Sequence, residues 1–318
     1  MNKKVLLIAG GGTLGTYTAK ELLNKGVSVE VVCPEEKTSN HENLKFHRTL
    51  ATDDFLTNLF AKNHYDAIVN FIHYDDPDEY RRVHPLLINN TDQLVFLSSY
   101  RVYADEVHPV TEQAPRLYDV VDDEEFLEYE KYAVPKSKCE DFLRNERAKD
   151  PFTIVRPVIS FSERRLDLVM NSGRWPIEAM ASGCETVLPE SVRNLHAGVD
   201  WAGNSGKLIA NLLFKRAALG EAFNIYSGHG MTWGEVADAY RDVFGIKIRW
   251  GTDEEYKDTI PTIRTARVHR WMWKYDRQFD RQIDATKVLS VTGLKRNDFA
   301  SIREGLEIEL ERIKGERV

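Results

Sequence analysis

Apolar positions along the first half of the chain alternate between two rhythms. Short, mainly apolar runs at residues 5–9, 27–33, 67–72, 93–97 and 153–158 have the length and β-branched content of buried strands. Between them, residues 14–24, 53–62, 78–87 and 131–144 repeat apolar positions at the helical period. Strand and helix alternating in this way predict a parallel sheet covered on both faces. The fold class expected is therefore α/β, a doubly wound Rossmann-type parallel sheet with a smaller C-terminal lobe.

Beyond Pro157 the pattern loosens. A helical pattern returns over 201–214 and a strand over 222–226. Thr232 and Glu235 have capping-box spacing and open a helix to about 244. Residues 246–250 read as a short strand, and 301–313 as an amphipathic helix. This divides the chain into a sheet domain, 1–160 plus about 199–226, and a substrate-binding lobe, about 161–198 and 227–318. The lobe is expected over the carboxyl edge of the sheet, where open α/β folds bind ligands. The acidic stretch 119–130 reads as a solvated loop or helix face.

Composition narrows the function classes. The formal net charge of −7, with both signs interleaved, offers no electrostatic footprint for nucleic acid or an anionic membrane surface. No apolar run approaches the ~20 residues of a membrane span, and the first apolar run is too short for a leader and feeds into glycines. Three scattered cysteines and nine scattered histidines show no metal-ligand spacing, so no metal is expected and a reducing, cytoplasmic location is.

The first strand runs into Gly10, Gly11, Gly12, Thr13, Leu14 and Gly15, with a helix after it. The G-x-G-x-x-G spacing at Gly10, Gly12 and Gly15 suits a tight turn, a close backbone approach to a pyrophosphate, and close helix–strand packing. The helix N-terminus then offers oriented N–H groups to phosphates. At this strand–helix junction the motif predicts a dinucleotide site. The second strand ends at Cys33, where an adenosine ribose would lie. A thiol neither accepts from a ribose as an acid would nor pairs with a phosphate as a base would, and the nearby Glu35 and Lys37 point in opposite directions, so NAD and NADP both stay open. Asp53 is placed either near the adenine or as a helix cap.

Two further groups carry chemistry. Ser98 and Ser99 follow the run 93–97, and Tyr132 precedes Lys136 by one helical turn, the only Tyr-x-x-x-Lys pair in the chain. Together with Val102-Tyr103, Thr111-Glu112, Pro115, Glu140, Arg156-Pro157, Val199-Asp200 and the later Asp284, Thr286, Lys287, Gly293-Leu294 and Glu304-Gly305, these pieces give the chain its resemblance. It resembles the extended, or closely related atypical, short-chain dehydrogenase/reductases, the NAD-dependent epimerase/dehydratase family that acts mostly on nucleotide sugars. The resemblance spans nearly the whole chain.

The resemblance implies a catalytic set of Ser99, Tyr132 and Lys136, in an NAD(P)-dependent epimerase or reductase acting on a nucleotide sugar. Tyr132 would exchange the proton, Lys136 would lower its pKa and hold the nicotinamide ribose, and Ser99 would orient the substrate oxygen. Gly10, Gly12, Thr13, Leu14, Gly15, Cys33 and Asp53 would lie along the cofactor, with Pro157 and Val158 at the nicotinamide. Tyr100 and Arg101 stand where the family's 4,6-dehydratases carry an Asp-Glu pair, which argues against that elimination. A second pyrophosphate needs cations, and Arg164-Arg165, Arg174, Arg193 and His196 are the candidates, with Trp175 beside Arg174 as a stacking residue. The cluster from Arg264 to Trp273 reads as helix packing or an interface. The segment 76–90 is short for extended members, and some atypical relatives bind or regulate without turnover, so a non-catalytic dinucleotide sensor stays as the alternative. A homodimer is the family-level expectation.

Overall fold

The computed structural model describes residues 3–315; the outermost positions of the two ranges above, 1–2 and 316–318, lie outside it. The chain begins β1 (Lys4–Ile8), α1 (Thr13–Asn24), β2 (Ser28–Cys33), β3 (Leu44–Arg48), α2 (Asp53–Phe60), β4 (Ala67–Asn70), α3 (Pro77–Ile88) and β5 (Leu94–Leu97). After the helix Ala133–Asp141 come β6 (Phe152–Pro157), β7 (Ile159–Phe161), β8 (Glu185–Pro189), β9 (Val199–Trp201), β10 (Glu221–Ile225) and β11 (Lys247–Gly251).

Seven strands form one sheet in the order β3-β2-β1-β4-β5-β6-β10, and every neighbouring pair is parallel. The order turns back at β1 and β4, and a doubly wound sheet leaves its ligand crevice at that switch point. The strands are nearly all buried on both faces, which is why their sequences are mainly apolar, with Glu30, Asn70, Thr153, Arg156 and Asn224 as buried polar exceptions. The exception is β3, an edge strand with alternating partly exposed positions, and its polar sequence LKFHR gave no strand signal.

Two small parallel pairs, β7 with β9 and β8 with β11, lie outside the main sheet. The helix Trp233–Phe244 starts as its sequence predicts: Thr232 and Glu235 make a reciprocal capping box. The acidic stretch holds two short helices, Leu117–Val120 and Glu124–Tyr129. In the aromatic-basic cluster, Trp271 packs edge-on to Phe126 with centroids 5.6 Å apart, and Arg267 and Arg270 pair with Glu125 at 3.1 and 3.0 Å. That cluster is helix packing. The tail helix Ile302–Gly315 buries a carboxylate, Glu309, which accepts from Trp201 Nε1 at 2.6 Å, from the backbone N–H of Glu163 at 2.9 Å and from the Tyr17 hydroxyl. It ties the chain after β7 to α1.

Candidate active site

In the glycine turn Gly12 and Gly15 have the surroundings their motif roles need, and the left-handed conformation falls just before it. The left-handed residue is Ala9, at φ 54°, so the strained position of the turn is an alanine at the mouth of the crevice. Gly10 is required for space: a Cβ there would sit 2.7 Å from Leu7 Cβ. At Gly15 a Cβ would come 2.3 Å from the Gly10 carbonyl oxygen, so helix and turn touch backbone to backbone. Gly12 faces open space, with nothing within 4 Å of an added Cβ. Gly12 is also the N-cap of α1 and makes no side-chain cap, and the first turn holds no acidic residue. The N–H groups of that turn are therefore left for an anion. Thr13 Oγ1 lies 3.0 Å from Ser162 Oγ, which anchors the turn to the chain beyond β7.

A cleft of about 360 Å³ opens at the switch point. Its walls include Gly12, Thr13, Leu14 and Gly15 from the turn, Ser99 and Tyr132 opposite, and Pro157 and Val158 at the end of β6. Residues singled out from widely separated stretches of sequence thus share one cavity. Apolar surface from Phe71, Leu97, Val158 and Met272 lines the rest, together with Arg101, Arg165 and Arg277.

Each polar group around Tyr132 has a local reason for its place. The helix Ala133–Asp141 starts one residue after Tyr132, and the Glu130 carboxylate caps it by accepting from the backbone N–H groups of Tyr132 and Val134 at 2.9 and 3.0 Å. That cap fixes the tyrosine backbone. One turn on, Lys136 is buried, its Nζ donates to the Leu97 carbonyl at 2.6 Å, and it lies 5.2 Å from the Tyr132 ring centroid. Ser99 caps the 3-10 turn Tyr100–Val102 by accepting from the Arg101 N–H at 3.2 Å. That turn sends Arg101 over the Tyr132 ring, 4.7 Å from its centroid.

Burial by itself would raise the Tyr132 phenol. The charges of Lys136 and Arg101, and the nearby Ser99 hydroxyl, outweigh it and bring the phenol below its ordinary value. Burial also lowers Lys136, against the opposing pull of the Tyr132 phenolate. His73, which the sequence reading missed, stacks at a tilt on the same ring with centroids 5.1 Å apart. Its Nε2 lies 2.7 Å from the Lys131 carbonyl oxygen and 2.9 Å from Asp75. Burial and the Lys136 charge both disfavour its imidazolium.

Several motif residues prove to be scaffold. Arg156 is buried and donates to both carboxylate oxygens of Glu140, to the Tyr103 hydroxyl at 2.7 Å and to the Glu112 carbonyl at 2.9 Å. The Tyr103 hydroxyl donates in turn to Asn224 Oδ1 at 2.7 Å, and the Glu112 carboxylate accepts from the Asn224 N–H at 2.9 Å. One buried network thus unites Tyr103, Glu112, Glu140 and Arg156, holding β6 and β10 against the helix that carries Lys136.

Other expected positions are not at the cleft. Thr52, and not Asp53, caps α2: its side chain accepts from the Phe55 N–H, because Thr52 has the extended backbone a cap needs while Asp53 is already helical. Asp53 lines a separate recess of about 170 Å³ beside Ile72 and Tyr74. Cys33 is buried at the end of β2, with its Sγ 3.8 Å from the Glu35 carbonyl oxygen, and does not line the cleft. Lys37 donates to the Gly11 carbonyl and sits 3.4 Å from Thr16 Oγ1.

None of Arg164, Arg174, Arg193 and His196 lines the cleft. Arg164 is 58% exposed beside Glu163, and Arg174 donates to the Glu163 carbonyl at 3.0 Å. Arg193 pairs with Glu190 at 3.4 Å and covers Trp250, and His196 Nδ1 is 2.7 Å from Asp280. Trp175 is packing, stacked on Tyr240 at 5.6 Å with its indole N–H on the Leu166 carbonyl. The cleft's cations are Arg101, Arg165 and Arg277. Of these, Arg165 was a candidate beside Arg164, and Arg101 carried a signal, since it follows the serine pair by two residues.

Comparison with known proteins agrees with this fold. Residues 1–127 match a family model described as putative NAD(P)-binding. No curated protein matches the chain in sequence. Solved structures match over nearly its full length. An epimerase from Methanothermobacter thermautotrophicus superposes with a TM-score of 0.68 at 17% identity, covering 99% of this chain and 93% of its own. UDP-glucose 4-epimerase from Thermotoga maritima, solved with UDP-glucose, gives 0.69 at 15% identity over 99% and 100%. dTDP-glucose 4,6-dehydratase from Bacillus anthracis, solved with NAD, gives 0.70 at 14% over 98% and 97%. The chain thus opens with a segment similar to a putative NAD(P)-binding family and has, over nearly all of its length, the Rossmann-type fold of these epimerases and dehydratases.

Proposed function

We propose that this chain is an NAD(P)-dependent epimerase or reductase acting on a nucleotide sugar, with Tyr132, Lys136 and Ser99 as its catalytic set. The observation that carries the reading is that one cleft joins the uncapped start of α1 to a phenol flanked by two cations. The glycine turn fits a dinucleotide: Gly12 leaves backbone approach open, and the first-turn N–H groups of α1 have no competing side-chain cap. Gly12, Thr13, Leu14 and Gly15 would hold the phosphates, and Pro157 and Val158 would flank the nicotinamide. The dinucleotide, when bound, supplies the hydride acceptor or donor.

The residues of this chain do the rest. Ser99 holds the substrate oxygen, and Tyr132 takes its proton in the oxidative direction or gives it back in the reductive one. Lys136 and Arg101 keep the phenol low enough to do so near neutral pH. Phe71, Leu97 and Met272 give the cleft apolar walls beside the reacting centre. The tyrosine at the position of the dehydratase Asp, and the arginine at that of its Glu, leave no acid to drive elimination, so epimerisation or simple oxidation–reduction is the chemistry left.

The test is Tyr132→Phe, assayed with NAD(P) against a panel of UDP- and dTDP-hexoses by product analysis and absorbance at 340 nm. Loss of a general acid/base costs about 10²–10⁴-fold in turnover. Cofactor binding by this variant together with full turnover would overturn the assignment.

A further inference from the structure

Tyr132 precedes its helix instead of lying in it. It is the N-cap, at φ −127° and ψ −68°, so helical backbone geometry does not set where its side chain points. Contacts on either side of its peptide do. Glu130 accepts from the Tyr132 N–H at 2.9 Å. The carbonyl of the preceding residue, Lys131, accepts from His73 Nε2 at 2.7 Å. The same imidazole lies against the Tyr132 ring, with centroids 5.1 Å apart and planes at 38°. One side chain, from a distant segment of sequence, thus touches both the peptide that enters Tyr132 and its ring.

His73 is itself held in place. It follows β4, where the buried Asn70 accepts from the Ile72 N–H at 3.1 Å and donates to the Tyr74 hydroxyl at 2.9 Å. Those two bonds fix the residues on either side of His73. Asp75 Oδ1 lies 2.9 Å from Nε2, beside the Lys131 carbonyl. A carbonyl oxygen only accepts, so Nε2 carries the hydrogen. Burial and the Lys136 ammonium disfavour the imidazolium against the pull of the Asp75 and Glu130 carboxylates, so the ring is neutral at pH 7.

A neutral ring adds no charge to those that bring the Tyr132 phenol down. That lowering comes from Lys136 and Arg101, 5.2 and 4.7 Å from the ring centroid, and from the Ser99 hydroxyl. Coulomb attraction fades with distance and fixes no direction, whereas a hydrogen bond is directional and a ring contact fixes a plane. His73 supplies this second kind of constraint.

We propose that His73 is a positioning residue for the catalytic tyrosine. Its N–H holds the Lys131 carbonyl and its ring holds the Tyr132 ring, which keeps the phenol in the cleft beside Ser99, Lys136 and Arg101. This rests on the reading of Tyr132 as general acid/base and adds to it the group that keeps Tyr132 in register.

The test reads Tyr132 itself. The difference between the 295 nm pH titrations of the parent and of Tyr132→Phe isolates this phenol, and the same difference is taken in the His73→Ala background. Once His73 is gone the ring drifts from its cations, and the phenol titrates higher, toward its ordinary value of about 10. A residue that only filled space would leave the titration where it was, or bring it down as water reached the ring. Either of those results overturns the inference. His73→Phe restores the ring face without the N–H, and its phenol is expected to titrate between the two; a value at or above that of His73→Ala counts against the inference. NADH affinity and melting report that each variant is folded. Should His73→Ala fail to fold, His73→Gln, which keeps an N–H donor without the ring, is read by the same criteria. Turnover of a UDP- or dTDP-hexose that the parent converts gives a second readout. In His73→Ala kcat falls about 10–10²-fold, with KM and NADH affinity little changed. In the Tyr132→Phe background the same substitution removes nothing further, because its effect passes through Tyr132. An equal loss in both backgrounds overturns the inference and leaves the dinucleotide reading standing. Full turnover by Tyr132→Phe, or absence of NADH binding by the parent, overturns the underlying reading, and this one with it.

Discussion

Replacing Glu140 by Gln isolates the energetic weight of the network behind the cleft. Glu140 is wholly buried one turn after Lys136, accepts from Arg156 Nε at 2.8 Å and from its Nη2, and has Arg116 at 3.6 Å. Burial alone would raise its carboxyl, but the Arg156 charge and hydrogen bonds hold it at about 2, against an ordinary 4.5. That displacement is worth about 3 kcal/mol at neutral pH. An independent route gives the same size, since breaking a buried ion pair on one side costs about 3–5 kcal/mol. For a chain of 318 residues this is a fall in Tm of about 5 °C. The sign follows from the depressed pKa: the stabilisation is complete above pH 4.5 and is lost as pH falls toward 2. By pH 3 it has shrunk to roughly 1 kcal/mol, so the melting curves of parent and Glu140→Gln converge on acidification. Calorimetric or circular-dichroism melts across pH 7 to 3 read this directly. A variant that melts with the parent at pH 7, or a gap that stays constant down to pH 3, refutes the reasoning.

Other outcomes follow from the same geometry. Arg101→Met removes one of the two cations that lower the Tyr132 phenol, so the acid limb of the oxidative rate, which needs phenolate, moves to higher pH. Single-turnover reduction of NAD⁺ by a UDP-hexose the enzyme accepts, followed at 340 nm against pH, checks it; an unmoved limb contradicts it. Arg164→Ala and Arg193→Ala remove exposed ion pairs away from the cleft, so each changes stability by about 0.5 kcal/mol or less and leaves sugar-nucleotide affinity within error. A loss of affinity in either, by calorimetry, puts the substrate path elsewhere.

Much of this was legible in the sequence, for a physical reason. Strands buried on both faces write themselves as apolar runs, so β1, β2, β4, β5 and β6 stood out, and the glycine turn and the Tyr132–Lys136 turn are local features that spacing encodes. The edge strand β3 needs only one apolar face and carried no signal. Among the substrate-side cations only Arg165 lines the cleft, because an arginine's direction is set by partners distant in sequence. Arg193 is drawn to Glu190 and Trp250, whereas Arg101 is steered over Tyr132 by the turn that Ser99 caps. His73 was missed for the same reason: nothing near it in the chain says that it meets Tyr132.

The account rests on a dinucleotide seated on the start of α1, and NADH fluorescence titration of the parent chain and of Gly12→Asp tests it most directly. Gly12 has φ −76° and open space beside it, so the aspartate fits the fold, but its charge falls where the phosphates would lie. We predict one NADH bound per chain in the parent, and at least about tenfold weaker binding in a variant whose melting temperature is essentially unchanged. Equal NADH affinity in the two proteins, or no binding by the parent, would contradict the account.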